Sequence, residues 1–142
     1  MRYLVLVILI FSFSFSNTMK RDGTLKVVID TSTKLMWMDS AINAKLRVTH
    51  GDAVDYCEEL KFAGYSNWRL PEIEEYESIV DKKNERSYIN RAFRFNLAEG
   101  YWARKSHWRT LWFYADYMYF VSGTPYYDSR HKMKLFRCVR NY

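Results

Sequence analysis

The sequence contains little cysteine, proline or glycine: two, two and five of them among 142 residues. Two cysteines are too few for a disulfide-rich scaffold, and their wide spacing is neither that of a metal site nor a Cys-x-x-Cys redox pair. With so few prolines and glycines, and with no internal repeat or low-complexity tract, no linker divides the chain. We therefore expect a signal segment over residues 1–16 and a single domain over residues 17–142.

Groups that carry catalysis or bind metals are also sparse. The three histidines are scattered, and no serine or cysteine nucleophile has an obvious base. Calcium needs about six to eight oxygen ligands. The last third of the chain offers only three carboxylates, those of Glu99, Asp116 and Asp128. We therefore expect no catalytic residue, no metal site and no cofactor, so that the protein is not an enzyme.

The N-terminus has the pattern of an export signal. Arg2 precedes an unbroken apolar run from Leu4 to Phe11, and Ser14-Phe15-Ser16 supplies small residues where a signal peptidase reads. The alternative, an uncleaved membrane anchor, is disfavoured because this run is far shorter than the roughly 20 residues that span a bilayer. We expect cleavage after Ser16, no stable membrane span afterwards, and a periplasmic, secreted or cell-surface location.

Export bears on the state of the two cysteines. In an oxidising compartment, two cysteines form a bridge more often than a metal site. A Cys57–Cys138 disulfide would tie an early helix to the last strand and stabilise the fold by about 4–4.5 kcal/mol in the chain-entropy model. That is a large share of the roughly 5–15 kcal/mol that holds an ordinary domain together.

Charge is distributed unevenly along the chain. Residues 17–81 contain 8 Lys or Arg and 12 Asp or Glu, a balance of −4, whereas residues 82–142 contain 13 and 4, a balance of +9. The formal net charge of +6 therefore conceals an acidic first half and a strongly basic second half.

The apolar pattern predicts an α+β chain. It opens with a hairpin of strands 25–29 and 35–38. Thr49 is a helix N-cap with Asp52 in the capping-box position, and the helix, with Cys57 on its buried side, ends at Gly64. Pro71 fits the first position of a second helix. The remaining strands are predicted at 101–102, 117–121 and 135–139, with a turn at 122–125.

Six ordered motifs resemble one known family, the C-terminal domain of the Legionella collagen-like adhesin. They are Asp30 to Trp37, Tyr56-Cys57-Glu58-Glu59-Leu60, Gly64 to Pro71, Tyr101-Trp102, Phe120 to Gly123 and Arg137 to Arg140. The resemblance covers nearly the whole chain after the signal segment. It implies a C-type-lectin-like fold with two helices packed on a small antiparallel sheet, and a role in bacterial adhesion or glycosaminoglycan-type recognition.

The Trp68-Arg69-Leu70-Pro71 motif has a structural interpretation. A tryptophan and a leucine that flank an arginine just before a helix are expected in the core. The guanidinium then bonds backbone carbonyls or a carboxylate of the second helix. Use of Arg69 as an anion hook is the less favoured alternative.

The chain departs from the family pattern in a basic aromatic segment, residues 103–114, where the family usually has small polar residues. We predict that this segment is a loop. Cations attract sulfate or carboxylate groups, and exposed aromatic rings stack on sugars. The alternative is that the aromatics are core and the charges a solvated rim. The predicted ligand-binding residues come from this segment and from the loop before the last strand: Arg104, Lys105, His107, Trp108, Arg109, Trp112, Arg130 and Lys132.

These features predict an exported bacterial binding module that recognises an anionic glycan or a surface protein without catalysis. The alternative is a structural or assembly subunit of an envelope or surface complex that binds protein partners. True calcium-dependent lectins use Glu-Pro-Asn, Gln-Pro-Asp and Trp-Asn-Asp sequences, none of which occurs here. Nucleic acid is not an expected partner, because an exported protein rarely meets it.

Overall fold

The computed structural model describes residues 18–142 and shows an α+β chain with two helices and two β-sheets. The predicted signal segment and its cleavage after Ser16 lie outside these residues. Within residues 18–142, no helix is both long and apolar enough to cross a bilayer.

Eight strands form two four-stranded sheets, with the strand orders β1-β2-β3-β8 and β6-β5-β4-β7. The strands are β1 (Met19–Asp22), β2 (Val27–Asp30), β3 (Leu35–Met38), β4 (Gly100–Ser106), β5 (Tyr114–Tyr119), β6 (Thr124–Ser129), β7 (Leu135–Phe136) and β8 (Val139–Asn141). The expectation of one small antiparallel sheet was wrong. The first sheet is antiparallel, whereas the second is mixed because β7 runs parallel to β4.

The end of the chain joins the two sheets. We predicted one strand over 135–139, but the chain bends at Arg137 and Cys138, so that β7 pairs with β4 and β8 pairs with β3. At the bend, the Cys138 carbonyl accepts a hydrogen bond of 2.9 Å from the Met38 amide. The closing segment therefore crosses from one sheet to the other, and it supplies an edge strand to each.

Helix α1 (His50–Glu59) begins as predicted, with the Thr49 hydroxyl accepting from the Asp52 amide at 3.4 Å. The helix ends at Glu59, not at Gly64, because Leu60 already has extended backbone angles. Gly64, with φ of +81°, instead turns a short hairpin in which Phe62 and Tyr65 exchange backbone hydrogen bonds.

Helix α2 (Ile73–Ser78) begins two residues later than predicted. Its N-cap is Glu72 rather than a residue before Pro71, and the Glu75 carboxylate accepts from the Glu72 amide at 2.8 Å. The Pro71 carbonyl accepts from the Arg104 amide of β4, also at 2.8 Å. This bond holds Pro71 outside the helix and against the second sheet.

The predicted turn at 122–125 is also displaced. Thr124 and Pro125 already belong to β6, and the tight turn falls at residues 120–123, where Gly123 has φ of +68°. Proline is tolerated there because β6 is the edge of its sheet.

The predicted disulfide is present between Cys57 and Cys138, whose Cα atoms are 5.5 Å apart and whose sequence separation is 81 residues. Both cysteines are fully buried, and they lie in an apolar cluster with Trp68 and Trp102. The bridge thus fastens α1 to the crossover between the sheets.

A buried ion pair lies next to this bridge. Arg137 and Asp39 both have side chains with 0% exposure, and Nη1 of Arg137 lies 3.2 Å from Oδ1 of Asp39 and 2.6 Å from the Met38 carbonyl. The guanidinium also lies 4.7 Å from the Phe93 ring centroid. Asp39 additionally accepts from Arg21 Nε at 2.5 Å. We call the four residues Asp39, Cys57, Arg137 and Cys138 the central seam.

Candidate functional site

The basic aromatic segment is part strand and part loop. Arg104 and Lys105 lie in β4, not in a loop, and they are exposed where that strand passes a bulge. Residues 107–113, which we call the aromatic loop, connect β4 to β5 and include one short 3-10 turn, Trp108–Thr110. Trp102, just upstream, is fully buried. The buried and exposed aromatics of this region are therefore separated along the chain.

Hydrogen bonds within the aromatic loop hold its shape. The His107 carbonyl accepts from the Trp112 amide at 2.9 Å and from the Thr110 hydroxyl at 2.8 Å. The two ends of the loop are joined by a bond of 2.9 Å from the His107 amide to the Tyr114 carbonyl. A loop fixed in this way loses less conformational entropy when it binds a ligand.

Two consecutive loop residues adopt the left-handed backbone region. Leu111 has φ of 52° and Trp112 has φ of 57°. Each such residue costs of order 1–3 kcal/mol when it is not glycine, and strain of this kind clusters at ligand-binding sites. The conformation turns a run of apolar side chains outward.

The outward side chains form an exposed apolar surface. Trp108 is 66% exposed, Leu111 85% and Trp112 54%. Phe113 and, on the neighbouring strand β6, Tyr127 are exposed as well. The alternative interpretation, in which the aromatic residues are buried in the core and the charges form a solvated rim, does not apply to Trp108 and Trp112, because both are exposed.

Two of the predicted ligand-binding residues face carboxylates. Arg104 Nη1 lies 3.3 Å from Oε1 of Glu72, in a pair that is about half exposed on both sides. His107 Nε2 lies 2.5 Å from Oδ1 of Asp116. The free positive charge of the segment is thus smaller than the sequence suggests.

The loop before the last strand does meet the aromatic loop. Arg130 donates from its amide to the Phe113 carbonyl at 2.9 Å, and from Nη1 to the Trp112 carbonyl at 3.3 Å. The His131 ring packs on the Phe113 ring with centroids 5.5 Å apart. Arg130 therefore supports the loop backbone rather than presenting its whole guanidinium to solvent.

Asp128 forms ion pairs with two further cationic side chains. Lys132 Nζ lies 3.2 Å from one carboxylate oxygen and Lys134 Nζ lies 2.9 Å from the other. Burial alone would raise the pKa of Asp128, but the bonds from Lys134, the Ser129 amide and Lys132 outweigh it, so the pKa is lowered. Lys132 is still largely exposed, whereas Lys134 is partly buried. Lys134 lies over the Tyr117 ring, 4.1 Å from its centroid.

A buried histidine helps to hold the Arg130 side chain in place. His50 is 2% exposed, and its Nε2 lies 2.9 Å from the Ala103 carbonyl. Arg130 Nε donates to His50 Nδ1 at 3.2 Å. Burial lowers the pKa of His50, and the charge of Arg130 adds to the effect. The neutral ring therefore donates to Ala103 and accepts from Arg130.

The remaining two cations are available to a ligand. Among residues 18–142, neither Lys105 nor Arg109 takes part in an ion pair. With His107 and Trp108 they line a hollow of about 300 Å³, and the Arg109 guanidinium lies 5.6 Å from the Trp108 ring centroid. A ring that stacks on Trp108 would thus meet two unpaired positive charges.

The sequence did not single out Leu111, Phe113 or Tyr127 as surface residues. Nothing in the apolar pattern distinguishes them from core residues. Leu111 and Phe113 are exposed on the loop with the left-handed bend at Leu111 and Trp112, whereas Tyr127 is exposed on the edge strand β6. The carboxylates of Glu72, Asp116 and Asp128 were likewise not recognised as partners of the predicted cations. Glu72 is 32 residues from Arg104, and Asp116 lies on the neighbouring strand β5, whereas Asp128 meets its lysines through the turn that follows β6.

Arg69 lies where the structural interpretation placed it. Its guanidinium forms a two-point pair with Glu75 of α2, at 2.6 and 2.8 Å, and its backbone bonds to Val139 of β8. Trp68 and Leu70 are each 2% exposed. The motif therefore connects α2 to the first sheet. Among residues 18–142, no cluster of three or more His, Cys, Asp or Glu side chains is placed to hold a metal ion.

Comparison with known proteins gives one match. A family model described as the Lcl C-terminal domain matches residues 26–140, which is most of the chain. The match confirms the resemblance drawn from the six motifs. The searches of curated proteins and of solved structures returned no match.

Proposed function

The chain belongs to the Lcl C-terminal domain family, and we propose that it is an exported, non-catalytic binding module of C-type-lectin-like fold that recognises an anionic glycan. The proposed contact surface is the aromatic loop with Lys105 of β4. Family membership supports an adhesin-like role. The buried disulfide supports a periplasmic, secreted or cell-surface location, because such bridges persist in oxidising compartments.

The exposure of Trp108 and Trp112 on a hydrogen-bonded loop is the observation that carries this proposal. Tryptophan is costly to leave in water, and exposed aromatic surface marks binding sites. A flat indole face suits the apolar face of a sugar ring. Lys105 and Arg109, unpaired beside Trp108, supply charge for a sulfate or carboxylate on that sugar.

A protein partner is the second candidate. Leu111 is 85% exposed and adjoins Trp112 and Phe113, and a leucine contributes nothing to charge recognition. Protein interfaces have apolar centres with aromatic residues and arginine enriched. In that case the chain would be a structural or assembly subunit, and the same loop would be buried against the partner.

The test measures binding of a heparin-type sulfated glycan to the purified protein at low and high salt. We expect the double variant Lys105→Gln/Arg109→Gln to lose about tenfold in affinity at low salt, and the difference to shrink as salt screens the charges. Arg104→Gln should cost less, because Glu72 already neutralises Arg104.

The matched control is Lys20→Gln/Lys61→Gln, which removes the same charge at exposed positions outside the loop. An equal loss in this control would show that the glycan responds only to net charge, which would refute the site. If the wild-type protein binds no anionic glycan at low salt, the assembly-subunit alternative is favoured.

A further inference from the structure

A second basic surface lies in the stretch between α2 and β4. Residues 83–98 line a groove of about 770 Å³, which we call the basic groove. It is larger than the 300 Å³ hollow of the aromatic loop and shares no lining residue with it. Its rim is polar, with Asn84, Ser87 and Asn96 beside the charged side chains.

The cations of the basic groove lack carboxylate partners. Lys83, Arg86, Arg91 and Arg94 line the groove, all four are exposed, and none takes part in an ion pair within residues 18–142. Glu85 is the carboxylate among the lining residues, which leaves a formal excess of three positive charges. This contrasts with Arg104, Lys132 and Lys134 near the aromatic loop, which face Glu72 and Asp128.

One wall of the basic groove is held by short-range hydrogen bonds. The Asn84 amide side chain donates to the Ile89 carbonyl at 2.8 Å, and the Tyr88 amide donates to the Asn84 carbonyl at the same distance. Val80 and Ile89, which flank this stretch, form a β-bridge. These bonds fix the backbone that carries Lys83 and Arg86.

A second part of the groove wall, which includes Arg94, is fastened to the central seam. The amides of Arg94 and Phe95 each donate to the buried Asp39 carboxylate at 3.0 Å. Arg137 donates from Nη2 to the Phe95 carbonyl. The Arg94 side chain remains exposed although its backbone is held. Like charges on two fixed walls cannot move apart freely, so an anion between them would relieve their repulsion.

We propose that the basic groove binds a phosphate monoester. Guanidinium groups match the oxygen geometry of tetrahedral anions, and a phosphate monoester is close to a dianion at pH 7, which suits the excess of three charges better than the monoanion of a sulfate ester. The groove presents no exposed aromatic ring, since Phe93 is buried. It therefore recognises the phosphate group rather than a stacked ring. This site is independent of the proposed glycan surface.

The test is a titration followed by NMR or calorimetry at low ionic strength, with inorganic phosphate, glucose 6-phosphate and glucose 6-sulfate as probes. We expect both phosphates to bind and the sulfate ester to bind more weakly. Binding of glucose 6-phosphate should weaken as the pH falls below about 6, where the dianion of the ester takes up a proton, while binding of the sulfate ester should not change. Binding of inorganic phosphate without glucose 6-phosphate would show a site closed to esters and would overturn the proposal.

The variant Arg86→Gln/Arg91→Gln/Arg94→Gln should lose at least about tenfold in phosphate affinity. Its control, Lys20→Gln/Lys45→Gln/Lys61→Gln, carries the same net charge and should stay within about twofold. All six positions are exposed, and a thermal melt verifies that each triple variant is folded. Trp108→Ala should leave phosphate binding unchanged, which separates this proposal from the glycan surface.

Four further results would each overturn the proposal. The wild-type protein could fail to bind phosphate at millimolar concentration. The groove variant could retain wild-type affinity, or the control variant could lose as much. Equal, pH-independent binding of the sulfate and phosphate esters would show that the groove does not select a phosphate monoester.

Discussion

An arginine packs on an aromatic ring both in the central seam and in the aromatic loop. The two regions differ in how deeply the arginine is buried and in whether it has an ion-pair partner. Arg137 is fully buried, with its guanidinium 4.7 Å from the Phe93 ring and hydrogen-bonded to Asp39 and to backbone carbonyls. Arg109 lies 5.6 Å from the ring of Trp108, which is 66% exposed, and has no ion pair among the described residues.

The difference shows how one residue pairing serves two purposes. In the seam, burial makes an unpaired charge costly, so Arg137 must be matched by Asp39 and carbonyls, and the matched group joins the sheets. In the aromatic loop, solvent tolerates the unmatched charge, and the arginine and tryptophan remain available to a ligand. Changes in the seam should therefore affect stability, and changes in the loop should affect binding.

Loss of the disulfide should give the largest effect on stability. Replacing Cys57 and Cys138 with serine should lower the free energy of unfolding by about 4 kcal/mol, since the bridge closes a loop with a sequence separation of 81 residues. Urea denaturation of the variant and of the oxidised wild-type protein measures the difference. The paired thiols should not titrate in the unfolded, unreduced wild-type protein. A bridge that contributes under about 1 kcal/mol would contradict the importance given to the seam.

The second largest effect is expected from Arg137→Ala, which should lower the free energy of unfolding by about 3 kcal/mol or somewhat more. The substitution leaves the Asp39 carboxylate buried, although Arg21 still bonds to it at 2.5 Å and limits the loss. The control is Arg140→Ala, which removes an arginine that lies over the Tyr65 ring at the surface. It should cost less than about 1 kcal/mol. Similar losses in the two variants would remove the distinction between buried and exposed pairs.

A smaller effect should come from pH, through His50. Burial depresses the pKa of His50 below its value in the unfolded chain, so the unfolded state binds the extra proton first as pH falls. Stability should therefore fall as pH drops below about 6.5, by at most about 1.4 kcal/mol per pH unit. In His50→Gln this slope should disappear, whereas His131→Gln, at an exposed position, should keep it. Thermal melts between pH 7.5 and 5 measure how stability depends on pH. If that dependence is the same in His50→Gln as in the wild-type protein, it does not arise from His50.

Much of the fold was predictable from local patterns. The hairpin of β2 and β3, the Thr49 cap and the buried face that carries Cys57 depend on neighbours in sequence. The split of the last strand did not follow from its composition, because residues 135–139 read as one strand with a single charged residue, Arg137. The bend exists to place Arg137 on Asp39 and Cys138 on Cys57, partners some 98 and 81 positions away.

The candidate site was predictable in its residue types but not in its electrostatics. Sequence reasoning identified the basic aromatic segment and the approach of the loop that carries Arg130. It overestimated the free charge, because Glu72, Asp116 and Asp128 reach Arg104, His107 and the lysines only in the folded chain. It passed over residues 83–98, which match no motif. Among the described residues, the cations of that stretch lack ion pairs, as Lys105 and Arg109 do.

The most direct test of the account compares the affinity of Trp108→Ala with that of the wild-type protein for a sulfated glycan, alongside their melting temperatures. Removing an exposed ring that stacks on a sugar should reduce affinity by at least about tenfold at both low and high salt, because stacking is not screened. The melting temperature should stay unchanged, because a surface substitution away from buried contacts typically costs under about 0.5 kcal/mol. Unchanged affinity, or a melting temperature that falls as affinity does, would contradict the assignment of binding to the aromatic loop.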